Sequence, residues 1–259
     1  TLPCDAIIFD LEDAVAPDEK VEARKTLADA LAENGYGARR KLVRINGLET
    51  VWGRDDIRSV AGMDCDGIVV PKVDTLGDVE AVTAEISDTP VWCMMEPPRG
   101  VLNALAIADA PQGAGLVLGT NDLAKEVGCD TGGDRSAMMT ALQTCLLAAR
   151  AAGIICVDGV FNAFKDDAGL NAECAQGRAL GMDGKTLIHP AQIDIANAVF
   201  APSEDQIDLA VRQIAAFDAA RAQGEGVAVV DGKIVENLHV DSARRVLAMA
   251  EAIAEREAA

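Results

Sequence analysis

The stretch Pro90-Val91-Trp92-Cys93-Met94-Met95-Glu96-Pro97-Pro98-Arg99-Gly100 runs through five apolar residues and stops on a carboxylate braced by two prolines. A short apolar run without alternation is what a strand covered on both faces requires. The proline pair that follows it imposes a stiff turn. Six more stretches share this plan: Asp5–Leu11, Lys41–Asn46, Gly67–Val73, Gly115–Gly119, Ile154–Val160 and Thr186–His189. Between them lie helix-like segments at Asp18–Asn34, Gly77–Ile86, Gly100–Ala108, Arg135–Ala152 and Leu170–Leu180. In the first of these, Pro17 and Asp18 supply the start, and Val21, Leu27 and Leu31 help form an apolar stripe. Strands alternating with helices predict a parallel sheet with helices on both faces.

Seven such cycles suit either a barrel or a doubly wound open sheet. The polar residues decide between them. Asp13 follows the first strand, Arg44 and Asn46 end the second, Lys72 the third and Glu96 the fourth; Asp122 follows the fifth, Asp158 ends the sixth and His189 the seventh. Polar groups at every strand end belong to a barrel mouth, whereas an open sheet gathers them at one switch point. The expectation is therefore a (β/α)8 TIM barrel over residues 1–201, its first strand lying upstream of Thr1. Residues 202–259 read as a C-terminal arm or lid: a helix over Glu204–Gln223, a hairpin around Asp231-Gly232 and a helix over Val240–Ala254.

Composition narrows the partners. With 23 Lys and Arg against 42 Asp and Glu, the net charge of −19 repels phosphate backbones and anionic lipid heads, which argues against nucleic-acid and membrane partners. An anionic substrate would then need local positive charge. Seven scattered cysteines without a C-x-x-C pair suit a reducing, cytoplasmic compartment. No apolar run approaches the roughly 20 residues that span a bilayer.

Three stretches carry chemistry. Phe9-Asp10-Leu11-Glu12-Asp13 packs three carboxylates around a strand end; a solvated loop with a helix cap is the plainer reading. Glu96 is held at the mouth by its prolines, either as a functional acid or as a buried partner of Arg44 or Lys72. Leu118-Gly119-Thr120-Asn121-Asp122 places a second carboxylate one strand away, where it can meet Glu96 on a cation or simply cap the next helix. Neighbouring strands lie about 4.8 Å apart, and hard carboxylate oxygens select Mg²⁺ over Zn²⁺. Arg44 can grip a carboxylate at two points, and Lys72 points toward the same mouth. Lys20 and Arg24, four apart, form a basic strip that reads first as solvated helix surface. His189 reads as structural.

Taken together, these stretches resemble the HpcH/HpaI aldolase and citrate lyase β-subunit superfamily, in its CitE-like branch. The resemblance rests on IIFDLEDAVAPDEKVEAR (7–24), LVRING (42–47), VVPKV (69–73), MMEPPRGVLN (94–103), LGTNDLAKE (118–126), DGKTLIHPAQI (183–193) and DGKIVENLHVDSARRVLAMAEAI (231–253). It implies a Mg²⁺-dependent barrel acting on a small acyl-CoA, with Glu96 and Asp122 as metal ligands. Arg44 would clamp the substrate, supported by Glu12 and Asp13, while Lys72, Lys20 and Arg24 would serve substrate or CoA phosphates. Catalytic roles fall to Arg44, Asp13 and Glu236. Glu236 stands where malyl-CoA lyases carry an Asp, and its surroundings look more like the thioesterase-type relatives. Relatives associate as trimers or hexamers in which the arm closes a neighbour's mouth. The implied activity is a lyase acting on a 3-hydroxyacyl-CoA such as malyl-CoA or citramalyl-CoA. The alternatives are a (3S)-malyl-CoA thioesterase, a CoA-independent aldolase on oxoacids, and a non-catalytic subunit of a lyase complex.

Overall fold

The computed structural model describes residues 2–33, 35–86, 88–130 and 134–258. Thr1 and Asn34, which bound two of the expected segments, lie outside the described residues. The chain divides into two compact units, Thr1–Ala196 and Asn197–Ala259.

In the first unit, seven strands form one parallel sheet in strictly sequential order. They are β1 (Ala6–Asp10), β2 (Arg40–Arg44), β3 (Gly67–Val70), β4 (Val91–Met95), β5 (Gly113–Leu118), β6 (Ile155–Asp158) and β7 (Gly184–Lys185). The crossovers carry α1 (Lys20–Ala32), α2 (Gly53–Val60), α3 (Leu76–Thr83), α4 (Pro98–Leu102), α5 (Ala104–Ala108), α6 (Thr120–Val127), α7 (Met139–Ala152) and α8 (Asp167–Leu180). A strand order that never reverses has no switch point, so the doubly wound rival is excluded and the sheet curls one way.

Local sequence explains the layers. Every residue of β3 is buried, as a strand covered on both faces must be. In α7, Leu142, Cys145, Leu146 and Ala149 recur at helical spacing and are the residues that face inward. The short helix α2 offers only Ile57 and Val60 as large buried apolar residues, and no stripe marks it in the sequence. The seventh strand is displaced from the expected Thr186–His189: it is Gly184–Lys185, and His189 instead caps a 3₁₀ turn over Pro190–Gln192. All seven cysteines are free. Burial pushes the thiols of Cys93, Cys145 and Cys156 up to about 12, so they behave as small apolar residues. No helix among the described residues is long and apolar enough to cross a membrane.

After α9 (Ile193–Phe200), the second unit holds α10 (Glu204–Ala222), the antiparallel pair β8 (Ala228–Val230) and β9 (Lys233–Val235), and α11 (Asn237–Ala258). Asp231 and Gly232 both take positive φ (50° and 74°), the geometry of a two-residue hairpin turn. Phe217, Ala220, Ala228, Val235 and Val240 form this unit's own core.

A buried charge cluster ties the last two strands of the main sheet together. The Lys185 ammonium, fully enclosed, lies 3.3 Å from Asp158, 2.5 Å from Glu173 and 2.5 Å from the Gly159 carbonyl. Arg135 closes the cluster with two hydrogen bonds to Asp158 at 2.8 and 3.0 Å. Removing one member strands the others in low dielectric. Lys185→Met is expected to lower unfolding free energy by about 3–5 kcal/mol, read by urea denaturation.

Candidate active site

The C-terminal edge of the sheet encloses a cavity of about 330 Å³ lined by Ile8, Asp10, Asp13, Arg44, Met94, Glu96, Asn121 and Asp122 among others. Strand register explains which side chains meet there. Asp10 and Arg44 are direct partners across β1 and β2, and their side chains form a two-point ion pair, Nε–Oδ1 at 2.7 Å and Nη2–Oδ2 at 2.5 Å. Burial alone would raise the Asp10 carboxyl, but the hydrogen bond and charge of Arg44 prevail and hold it below the usual range. Asp10 was one of the three acids that the sequence set at this strand end, but it was given no role there. Its role follows from register, which a run of three acids does not reveal.

The acidic turn after β1 folds around cations. Lys20 is buried and donates to the carbonyls of Leu11 (2.8 Å) and Glu12 (2.6 Å), with Trp52 beneath its ammonium at 5.3 Å. Arg24 pairs with buried Asp56 at 2.6 Å, and Asp56 also binds Asn46. Neither Lys20 nor Arg24 lines the cavity; both hold the turns that shape it. Glu12, 6 % exposed, bridges the Lys72 ammonium through Oε1 and Arg44 through Oε2 at 3.0 Å. The Oε2 contact lies off the N–H direction and makes no hydrogen bond. Burial keeps the Glu12 carboxyl above its ordinary value despite both cations. Asp13 remains exposed, 3.8 Å from Arg44.

Glu96 is 2 % exposed, and the Lys72 backbone N–H donates to its Oε1 at 2.7 Å. Lys72 reaches that position in the left-handed region, φ 50°, uncommon for a residue with a side chain. Burial pushes Glu96 up to about 7, with only that backbone N–H and the Lys72 charge opposing. Its carboxylate lies across Gly119, the next position after the Met95–Leu118 register pair. A Cβ at 119 would stand 2.5 Å from the Glu96 Cβ and against its Oε2, so only glycine fits. Asp122 sits in the first turn of α6, lines the cavity and makes no capping bond. Its carboxylate takes no hydrogen bond from any described residue.

The mouth thus sets five carboxylates (Asp10, Glu12, Asp13, Glu96, Asp122) against two cations (Arg44, Lys72), a surplus of three negative charges when every acid is ionised and less while Glu96 holds its proton. No described trio of His, Cys, Asp or Glu forms a closed metal cage. Two hard carboxylates with room for water suit Mg²⁺, which keeps several waters. The residues present fit that ion. Glu236 belongs to the second unit, exposed just after β9, its N–H donating to His239 Nδ1 at 3.1 Å.

A curled seven-stranded parallel sheet with an acidic cavity at its strand ends defines an α/β protein of half-barrel form. The family model for HpcH/HpaI aldolase/citrate lyase matches residues 1–190, and the chain belongs to that family. It is similar to the (3S)-malyl-CoA thioesterase of Cereibacter sphaeroides, 59% identical over 98% of this chain and 89% of that protein. It is also similar to citrate lyase subunit beta of Escherichia coli, 36% identical over 98% of this chain and 88% of that protein. Among solved structures, CitE from Mycobacterium tuberculosis in complex with magnesium, acetoacetate and coenzyme A matches with a TM-score of 0.81 and 29% identity, covering 96% of this chain and 91% of that one.

Two outcomes follow from the packing of Glu96. Gly119→Ala is expected to displace the Glu96 carboxylate, costing about 1–3 kcal/mol and weakening Mg²⁺ binding measured by calorimetry. A carboxyl raised in the fold stabilises it below the unfolded pKa and loses that contribution as pH rises through the folded value. In EDTA, wild type should therefore lose stability relative to Glu96→Gln between pH 5 and 8, on the order of 3 kcal/mol. Mg²⁺ should reverse the trend at pH 8, read by denaturant titration.

Proposed function

We propose that this chain hydrolyses the thioester of a small 3-hydroxyacyl-CoA bearing a free carboxylate, with (3S)-malyl-CoA as the type substrate, to a hydroxy acid and CoA. The observation that carries this reading is the 59% identity to a (3S)-malyl-CoA thioesterase over 98% of the chain. Glu96 and Asp122 would hold Mg²⁺. That ion, when bound, supplies Lewis-acid polarisation of a substrate oxygen.

The chain's own residues do the rest. Arg44, aimed by Asp10 and Glu12, keeps N–H groups for the substrate's carboxylate. Lys72 holds Glu96 through its backbone and adds positive charge beside it. Asp13 at the mouth, or Glu236 supplied by the arm of a neighbouring copy, would take the proton of the attacking water and return one to the departing thiolate as the C–S bond breaks. Lys20 and Arg24 stabilise the acidic turn, and any contact with CoA phosphates would follow a rearrangement of it.

The same reading expects an eight-stranded barrel with an arm over residues 202–259, a homo-oligomer such as a trimer whose arms reach neighbouring mouths, and a cytoplasmic location where free thiols stay reduced. A second reading, C–C cleavage of the same substrate, is favoured by the similarity to citrate lyase subunit beta and by the Glu96 and Asp122 pair. In it, removal of the hydroxyl proton would release an oxoacid and acetyl-CoA.

Product analysis separates the two. Protein, Mg²⁺ and (3S)-malyl-CoA are expected to give malate and free CoA, with EDTA abolishing turnover and Glu236→Ala lowering it at least ten-fold. Glyoxylate with acetyl-CoA would install the lyase reading instead.

A further inference from the structure

Of the two carboxylates at the mouth that fit Mg²⁺, Glu96 is fixed by a backbone hydrogen bond, whereas Asp122 takes none from a described residue. Asp122 lies in the first turn of α6, a helix of eight residues whose N-cap, Gly119, offers no side chain to the free N–H groups. Helices open first at ends of this kind, and a fraying end aims a carboxylate poorly. Two contacts from a neighbouring turn take the place of the cap.

Both contacts come from the turn after β6. Gly159 lies bare against Thr120: a Cβ there would stand 2.3 Å from the Thr120 Oγ1 and 2.6 Å from its Cγ2. Three residues on, Asn162 exchanges side-chain hydrogen bonds with Asn121, Nδ2 to Oδ1 at 2.7 and 3.2 Å. Thr120 and Asn121 are the two residues directly before Asp122. The turn is itself firmly footed. The enclosed Lys185 ammonium donates to the Gly159 carbonyl at 2.5 Å, and Asp158 accepts from the Gly159 N–H at 2.8 Å. Gln192, 1% exposed, donates to the Phe161 carbonyl at 2.9 Å. Asn121 and Asn162 are both exposed, and polar pairs at such positions add little to folding. What sets this pair apart is that it ends on the residue next to Asp122.

We propose that Asn162 is a positioning residue for the metal: through its paired hydrogen bonds to Asn121 it holds the first turn of α6, and so aims the Asp122 carboxylate at the cation shared with Glu96. The proposal rests on the reading of Glu96 and Asp122 as Mg²⁺ ligands and deepens it. Mg²⁺ demands near-octahedral geometry, so a displaced oxygen ligand costs affinity. Residues that orient a ligand without touching the ion set a large part of that affinity. Here the orienting hydrogen bonds bypass the carboxylate itself, whose oxygens stay free for the ion and its waters. The buried charge cluster around Lys185 thereby does more than tie β6 to β7. It is the footing on which the asparagine clasp stands.

The test measures Mg²⁺ binding by titration calorimetry on the full chain. Asn162→Ala and Asn121→Ala are each expected to weaken Mg²⁺ about ten-fold, and the double variant no further, because either change opens the same clasp. The unfolding midpoint in EDTA should stay that of wild type, as suits two exposed side chains. In turnover of (3S)-malyl-CoA, the Mg²⁺ concentration for half-maximal rate should rise with the dissociation constant, while kcat at saturating Mg²⁺ is kept. Unchanged Mg²⁺ affinity, or losses that add in the double variant, would overturn the proposal. So would a fall in kcat that saturating Mg²⁺ does not restore, which would put Asn162 on the substrate, or a lowered midpoint in EDTA, which would make the clasp structural. Wild type that binds no Mg²⁺ would overturn the metal reading, and this proposal with it.

Discussion

Burial of the Glu96 carboxylate governs the rest of the mouth, because an acid enclosed by protein must be hydrogen-bonded, protonated or held by a cation. Among the described residues one hydrogen bond reaches it, from the backbone of Lys72, which lies in the left-handed region. The turn after β3, the bare surface of Gly119 and the proline pair after Glu96 are each shaped to that carboxylate. Asp122, one strand further on, adds a second oxygen donor without using it for capping. An enclosed acid beside an open one is an arrangement in which a divalent ion relieves the strain of desolvation and gains ligands in the same step.

The surplus of negative charge at the mouth answers a difficulty raised by the acidic composition. An anionic substrate is repelled by most of this surface, and the two mouth cations are already engaged by carboxylates. A bound divalent ion would cancel most of that surplus. Arg44, with its guanidinium pinned by Asp10, contributes direction more than net charge.

Much of this was legible from the residues because apolar runs ending on polar groups describe buried parallel strands whose C-terminal ends converge. The expected strands β1 to β6 sit within a few residues of where they fall. β7 did not, because two residues carry no periodicity and its position is set by the enclosed Lys185. α2 escaped for want of an apolar stripe. At the site, Glu96 and Asp122 stand at one cavity as their strand positions suggested. Lys20 read as a solvated cation because nothing local shows that the chain returns to lay Leu11, Glu12 and Trp52 around its ammonium. Asp10 was hidden for a related reason: its partner is thirty-four residues away and is fixed only by register.

Lys72 serves two masters through different atoms. Its backbone N–H steadies Glu96 while its ammonium steadies Glu12, so one turn reports on two acids whose charges oppose each other. Such a turn acts as a mechanical junction. From Lys72 the contacts run on through Glu12 to Arg44 and from there to Asp10 on β1, the first strand of the sheet. Evolution could therefore retune the whole mouth by altering the loop between β3 and α3 alone, leaving every acid in place.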